Sequence, residues 1–378
     1  MKLPRSSRLA ALVAVGSLSL AACGGSDSPT PGAGTSGGAA APATSGGGAP
    51  ATLSGVISGA GASSQTAAMD AWIAGFQGAN DGVTVNYDPV GSGAGREQFA
   101  AGDALAFAAS DRALKPEEIT ATAKRCAAGG SVVDLPLYIS PIAVAFNLDG
   151  VTKLNMKPAT IAKVFNQKIK KWNDPLIKAD NPDAQLPDLA ITPVNRSDDS
   201  GTTENFTDYL SVTAKADWTY EADGVWPVKG GEAANGTSGV VAAIKAGKGS
   251  IGYADASQVG DLGKVAVGVG SQFVDYSPEA AAAVVSTSPR ETGRMTGDIV
   301  IDLARDTKKA GEYPVVLVSY SLACTKYADA AQASNVKAFM SYVASKDGQD
   351  AAAKTAGSAP ISAELRTEVE ASIAAISG

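Results

Sequence analysis

Three short loops hold residue types that could do chemistry on an oxyanion. Gly59-Ala60-Gly61-Ala62-Ser63-Ser64, Gly91-Ser92-Gly93-Ala94-Gly95 and Arg196-Ser197-Asp198-Asp199-Ser200-Gly201-Thr202 are rich in glycine and hydroxyl groups, and a fourth segment closes on Ser110-Asp111. Glycine lets a backbone close on a ligand, and serine and threonine add donors. Together the four segments supply neutral donors, one guanidinium and one carboxylate. Taken singly, each has a bland reading: Asp111 as a helix N-cap, Arg196 and Asp198 as a surface ion pair worth little, Ser200-Gly201-Thr202 as an ordinary cap. Their recurrence in one chain points instead to anion binding.

Bond-making chemistry fits these residues poorly. The 378 residues contain no histidine, which excludes a Ser-His-Asp triad, a Cys-His pair, an HExxH zinc site and an imidazole proton shuttle. A histidine-free serine hydrolase or phosphatase using Ser92 or Ser200 would need a Ser-Lys pair or carboxylate-bound metals. No convincing Ser-x-x-Lys and no acidic cluster with metal-ligand spacing is present. The chain is therefore expected not to be an enzyme, and to need no cofactor or metal.

The loops follow strand-like runs. Short apolar β-type segments at 53–57, 83–87, 105–109 and 191–194 each lead into one of them. Helical patterns come next, the clearest placing Met69, Trp72, Ile73 and Phe76 on one face. Strands alternating with helices predict an α/β protein with a largely parallel sheet, whose ligands bind where strands end and helices begin. Further strands are predicted at 132–137, 142–147, 250–253 and 313–322, a basic amphipathic helix over 161–175 and a final helix over 331–345. Trp72, Trp172, Trp218 and Trp226 read as packing residues. At 45% hydrophobic and 18% charged the chain should fold, and a folded part of this length predicts two cores.

The first 52 residues read differently. Lys2, Arg5 and Arg8 precede an apolar run at 9–20, a signal-peptide pattern over 1–22 that is too short to span a membrane well. Leu20-Ala21-Ala22-Cys23 resembles a bacterial lipobox, which would make Cys23 the acylated, palmitate-bearing N-terminus; the alternative is an ordinary secretory signal with an incidental cysteine. Residues 23–52 form a Gly/Ala/Ser/Pro-rich tether, its only charge Asp27, with a reach of roughly 30 Å. Losing 1–22 removes three basic residues and no acidic one, leaving 28 against 38, a net of −10. That balance argues against nucleic acid. A buried site can still hold an anion with local dipoles. Cys126 and Cys324 remain, and outside the membrane an even pair reads as a disulfide, two free thiols being the alternative.

The motifs also carry a family resemblance. GAGASS (59–64), NYDPVGSGAG (86–95), AFAASD (106–111), KIKKWND (168–174), RSDDSGT (196–202) and GSIGY (249–253) resemble, in order and approximate spacing across 53–378, the PstS family, the phosphate-binding proteins of bacterial ABC phosphate uptake. The resemblance implies a type II, two-lobed periplasmic binding protein, each lobe a central mixed sheet flanked by helices, with two hinge crossings. Lobe 1 would comprise 53–136 and 315–378, and lobe 2 residues 137–314. Cys126 and Cys324 would then share a lobe, as a disulfide needs. The family's phosphate contacts fall on Ser63, Ser64, Ser92, Asp111, Arg196, Asp198, Ser200, Gly201 and Thr202.

On that resemblance, Arg196 would grip the anion while Asp198 holds the guanidinium. Ser64, Gly201 and Thr202 N–H groups would cap it, with hydroxyls from Ser63, Ser92, Ser200 and Thr202. Asp111, ionised, can only accept a hydrogen bond, so it would demand a protonated anion and reject sulfate by ~10⁴. Other readings of the same fold are a sulfate, molybdate or phosphonate receptor. Two departures stand out: Ser63-Ser64 replaces a usual Thr-Phe, predicting a more open first loop, and Asp199 replaces a common glycine, so it must face solvent or pair with a lysine. The implied setting is extracytoplasmic, a monomer held to the cell membrane only by the lipid on Cys23, passing phosphate to an ABC permease and ATPase complex, with no nucleic-acid partner.

Overall fold

The computed structural model describes residues 53–102 and 104–378; the expected signal peptide, tether and Cys23 lie outside the described residues. The chain begins β1 (Gly55–Gly61), α1 (Thr66–Ala79), β2 (Val83–Asp88), α2 (Ser92–Ala101), β3 (Phe107–Ser110), α3 (Pro116–Thr122). It continues through β4 (Val132–Phe146), β5 (Lys153–Met156), α4 (Pro158–Phe165), α5 (Pro175–Asp180), β6 (Thr192–Arg196), α6 (Gly201–Thr213), β7 (Glu232–Ala234) and α7 (Gly236–Ala246). Then come β8 (Ser250–Asp255), β9 (Gly263–Val269), β10 (Gln272–Val274), α8 (Pro278–Thr287), β11 (Val316–Cys324), α9 (Ala330–Ala344), α10 (Lys346–Ala356) and α11 (Ala363–Ala374).

Two sheets share one long strand. The first runs β2-β1-β3-β11-β4, the second β4-β8-β6-β7, with β9, β5 and β10 attached beside β4. Residues Val132 to Pro141 of β4 pair with β11, whereas Ile142 to Phe146 pair with β8. The switch falls at Pro141, which has no N–H to donate to a ladder. Every residue of β4 is buried, as expected for a central strand covered on both faces. β1 pairs in parallel with β2 and β3, and β6 with β7 and β8, but β11 and β4 pair antiparallel to their neighbours. The sheet is thus mixed rather than largely parallel, because the chain returns through β4 and β11 instead of adding further crossover helices.

Helix α1 buries Met69, Trp72 and Phe76 on the face the sequence pattern indicates. Trp72, Trp172 and Trp218 are fully buried, and Trp226 packs against the same core. Trp72 Nε1 donates to Gly348 O and Trp172 Nε1 to Gly249 O, so these two buried indoles keep their donors satisfied, whereas Trp218 Nε1 has no partner among the described residues. Cys126, beyond α3, is disulfide-bonded to Cys324 at the end of β11, with Cα atoms 5.5 Å apart.

Several element boundaries depart from the sequence reading, and the helix over 331–345 is not the final one, since α10 and α11 follow it. The runs at 132–137 and 142–147 form one strand. The basic helix ends at Phe165: Gln167 takes a left-handed φ of 56°, and Lys168 and Ile169 N–H both turn back to Lys163 O. The chain restarts as α5 with Asp174 as its N-cap. Finally, α2 starts at Ser92, inside the glycine-serine segment that the sequence reads as a loop. Its glycines suit the helix because a Cβ on Gly95 would lie 2.4 Å from Gly61 Cα, so the helix packs directly on the β1 backbone.

Candidate functional site

The four segments meet where β1, β3 and β6 end and α2 and α6 begin. Each strand end supplies a turn, and each helix start supplies backbone N–H groups with no partner inside the helix. Asp111 follows β3, is 2% exposed, and lies between the two sheets' helices. Ser64 Oγ donates to its Oδ1 at 2.6 Å and Thr202 Oγ1 to its Oδ2 at 2.7 Å. Its own N–H donates to Ser92 Oγ at 3.2 Å, and its carbonyl accepts from Asn205 Nδ2 at 2.6 Å. Gly201 opens α6 so close to this group that a Cβ there would sit 2.8 Å from Asp111 Cβ and 2.9 Å from Ser92 Oγ. Hence Ser64, Ser92, Asp111, Gly201 and Thr202 form one cluster, although they come from both sheets.

Burial pushes the Asp111 carboxyl above the usual aspartate range; the Ser64 and Thr202 hydroxyls, the Ser319 hydroxyl and the Arg196 charge each pull it back. Ser319 lies on β11, buried, its Oγ outside hydrogen-bonding geometry.

Arg196 ends β6 and is 3% exposed. Its Nε donates to Asp198 Oδ1 at 2.8 Å, and its Nη2 donates to Asp198 Oδ2. Burial alone would raise the Asp198 carboxyl, but the Arg196 hydrogen bonds and charge, with the Gly236 N–H, hold it below the usual range. Asp198 spends one Nε and one Nη2 hydrogen, leaving three guanidinium hydrogens for another acceptor. Gly91, at a φ of 102°, lets α2 begin against this pair, since a Cβ there would lie 2.6 Å from Asp198 Oδ2. Ser200 is the N-cap of α6, its Oγ accepting from Thr203 N at 3.2 Å.

Ser63 sits to one side of this cluster. Its Oγ accepts from Thr237 N at 3.0 Å and lies 3.1 Å from Thr237 Oγ1. Ser63 and Ser64 are 7% and 0% exposed, so the first loop is covered rather than open: Gln258 Nε2 donates to Ser63 O at 2.8 Å and Ser64 O at 3.2 Å. Small side chains there leave room for an amide from the other sheet. Asp199 pairs with Arg96, Nη2 to Oδ2 at 3.2 Å, an arginine of α2 rather than a lysine. Sequence reasoning missed Asn205, Thr237 and Gln258. Asn205 stands four residues after Gly201 on the same helix face, a spacing that could have flagged it; nothing local marks the other two.

Comparisons with known proteins place the chain among phosphate-binding proteins. A family model described as a PBP superfamily domain matches residues 31–347. The chain is 34% identical over 350 residues to phosphate-binding protein PstS 3 of Mycobacterium tuberculosis, covering 90% of each chain. It is 33% identical over 387 residues to PstS 2 of the same organism, covering 100% of both. Among solved structures, a putative phosphate ABC transporter substrate-binding protein with bound phosphate from Clostridium perfringens aligns with a TM-score of 0.56 at 20% identity. It covers 80% of this chain and 98% of that one, a likeness of fold.

Proposed function

This chain belongs to the PstS family of phosphate-binding proteins in the PBP superfamily, and we propose that it is an extracytoplasmic receptor that closes on one inorganic phosphate. The observation that supports this most is Asp111, a buried carboxylate ringed by hydroxyls and adjoining an arginine. An anionic ligand beside it is tolerated only if it brings a hydrogen for the carboxylate to accept. Phosphate at neutral pH carries such a hydrogen, and sulfate does not.

In this reading Arg196 gives two of its three remaining hydrogens to phosphate oxygens, while Asp198 keeps the guanidinium plane fixed. The Ser64, Gly201 and Thr202 N–H groups and the Ser92 and Ser200 hydroxyls complete the shell. Ser63 Oγ accepts from Thr237 N–H, and its own proton would turn from Thr237 Oγ1 to the anion. The Ser64 and Thr202 hydroxyls leave Asp111 for the phosphate as the phosphate's proton takes their place. Nothing in these steps breaks a bond, so the reading is a receptor and not an enzyme. The two sheets would be the cores of two lobes, 53–136 with 315–378 and 137–314. A lipid on Cys23 would hold the monomer at the membrane, where it delivers phosphate to an ABC permease and ATPase complex.

Titration calorimetry of the full chain with phosphate and with sulfate at neutral pH tests this. Phosphate should bind on the order of 10⁴ tighter than sulfate. Equal affinities, or no phosphate binding, would overturn it.

A further inference from the structure

The contacts of Ser63 and Ser64 have a direction: they run from one sheet to the other. The two serines follow β1 of the first sheet, whereas Thr237 is the second residue of α7 and Gln258 lies in the turn after β8, both on the second. Asn205 and Thr202 reach Asp111 from the same side, but they belong to the anion cluster itself. Gln258 touches only the backbone carbonyls of the first loop, and Thr237 its Ser63 hydroxyl.

Helix α7 shows why the contact matters. Its first N–H groups have no partner within the helix, and Asn235 at its N-cap position supplies no side-chain bond. Gly236 N–H instead donates to Asp198 Oδ1 at 3.1 Å, and Thr237 N–H donates to Ser63 Oγ at 3.0 Å. One helix start is therefore capped by the residue that holds Arg196 and by a serine from the opposite sheet. Gln258 adds two donations, to Ser63 O and Ser64 O. With both carbonyls held by Gln258, the Ser64 hydroxyl stays on Asp111 Oδ1. The turn that presents Gln258 is itself fixed, because Asp255 accepts from Ser257 N at 2.9 Å and Ser257 Oγ at 2.5 Å.

We propose that Thr237 and Gln258 form a clasp on the Ser63-Ser64 loop that exists only while the two halves are shut, and that this clasp sets how fast phosphate leaves. The proposal rests on the phosphate-receptor reading and adds positioning residues to it. Breaking the clasp leaves the anion cluster intact, so it accelerates opening without altering encounter or selectivity. Gln258→Ala removes the donor and the volume. Gln258→Glu keeps the shape but cannot donate and sets a carboxylate against two carbonyls.

The test is release of ³²P-phosphate from the full chain into excess unlabelled phosphate, with calorimetry to obtain the association rate by ratio. Both variants should release phosphate about tenfold faster, as expected for one lost net hydrogen-bond increment. Association should stay close to the parent, as should the thermal midpoint without phosphate and the preference over sulfate. Release at the parental rate in Gln258→Glu would overturn the clasp, since the side chain would then act only by filling space. An equal loss of stability without phosphate would also overturn it, because the contact would then be a general support of the fold. A parent chain that binds no phosphate would instead overturn the receptor reading, and the clasp with it.

Discussion

Asp111 receives hydroxyl protons from Ser64 and Thr202 on its two oxygens, while its peptide N–H and carbonyl are held by Ser92 and Asn205. The carboxylate is thus fixed in place before it meets an anion, and discrimination falls on its protonation state. Ionised, it accepts only; neutral, it also donates. Because burial raises its pKa, the neutral form appears at a higher pH than for an exposed aspartate. Sulfate affinity of the parent protein should therefore climb as pH falls through that raised value, whereas phosphate, which can supply a hydrogen, changes less. Asp111→Asn donates at every pH. Its preference for phosphate over sulfate should shrink from ~10⁴ to within ~10² and lose its pH dependence. Competition calorimetry from pH 5 to 8 checks this, and a variant that still rejects sulfate as the parent does would remove Asp111 from the selectivity.

Among the elements, the strand ends and helix starts that carry the loops were legible because apolar runs and glycine-serine turns mark them locally. The family resemblance supplied a candidate ligand set for the same reason: the residues lie in short, dense motifs. What escaped was set by tertiary contact. The stretch at 161–175 has helical periodicity throughout, yet Trp172 must reach the buried Gly249 carbonyl, so the chain breaks at Gln167. Thr237 and Gln258 act on a loop more than 170 positions away, and no local pattern can show such a partner. Gly201 shows how helix placement and site are joined. Alanine there would restrict the unfolded chain, a gain of roughly 0.4–1 kcal/mol at a position without positive φ, but its Cβ would overlap Asp111 and Ser92 across the junction. Gly201→Ala should keep or slightly raise the thermal midpoint measured without phosphate and weaken phosphate by at least roughly tenfold, since α6 can no longer seat against α2. Paired melting and calorimetry separate the two effects; unchanged affinity would mean that this close approach is not needed for binding.

Across the whole molecule, the place where one strand serves two sheets carries a second buried acid. Asp255 ends β8, pairs in register with Ile142 just beyond the switch at Pro141, and accepts from Tyr138 Oη at 3.1 Å. Burial, against the opposing pull of the Ser257 and Ser140 hydroxyls and with a further push from the Asp111 charge, raises its pKa to about 7. A carboxyl whose folded pKa lies above its unfolded value keeps its proton in the native state after the unfolded chain has lost it. Folding stability from this group is therefore fully present in acid and falls as pH rises toward about 7, by roughly 1.4 kcal/mol per pH unit at most. Other buried acids contribute slopes of their own, Asp134 among them, raised by burial and by Asp298, so the parent's curve alone does not isolate Asp255. The difference between parent and Asp255→Asn does, because asparagine keeps the size and an acceptor oxygen but binds no proton. Denaturant unfolding at pH 5, 6, 7 and 8 should show the parent losing ground to the variant by on the order of 1 kcal/mol per unit up to neutrality, then running level with it. Parallel curves over that range would mean that Asp255 is ionised well below neutrality in the folded protein, and that the strand junction tolerates a full negative charge between its two sheets.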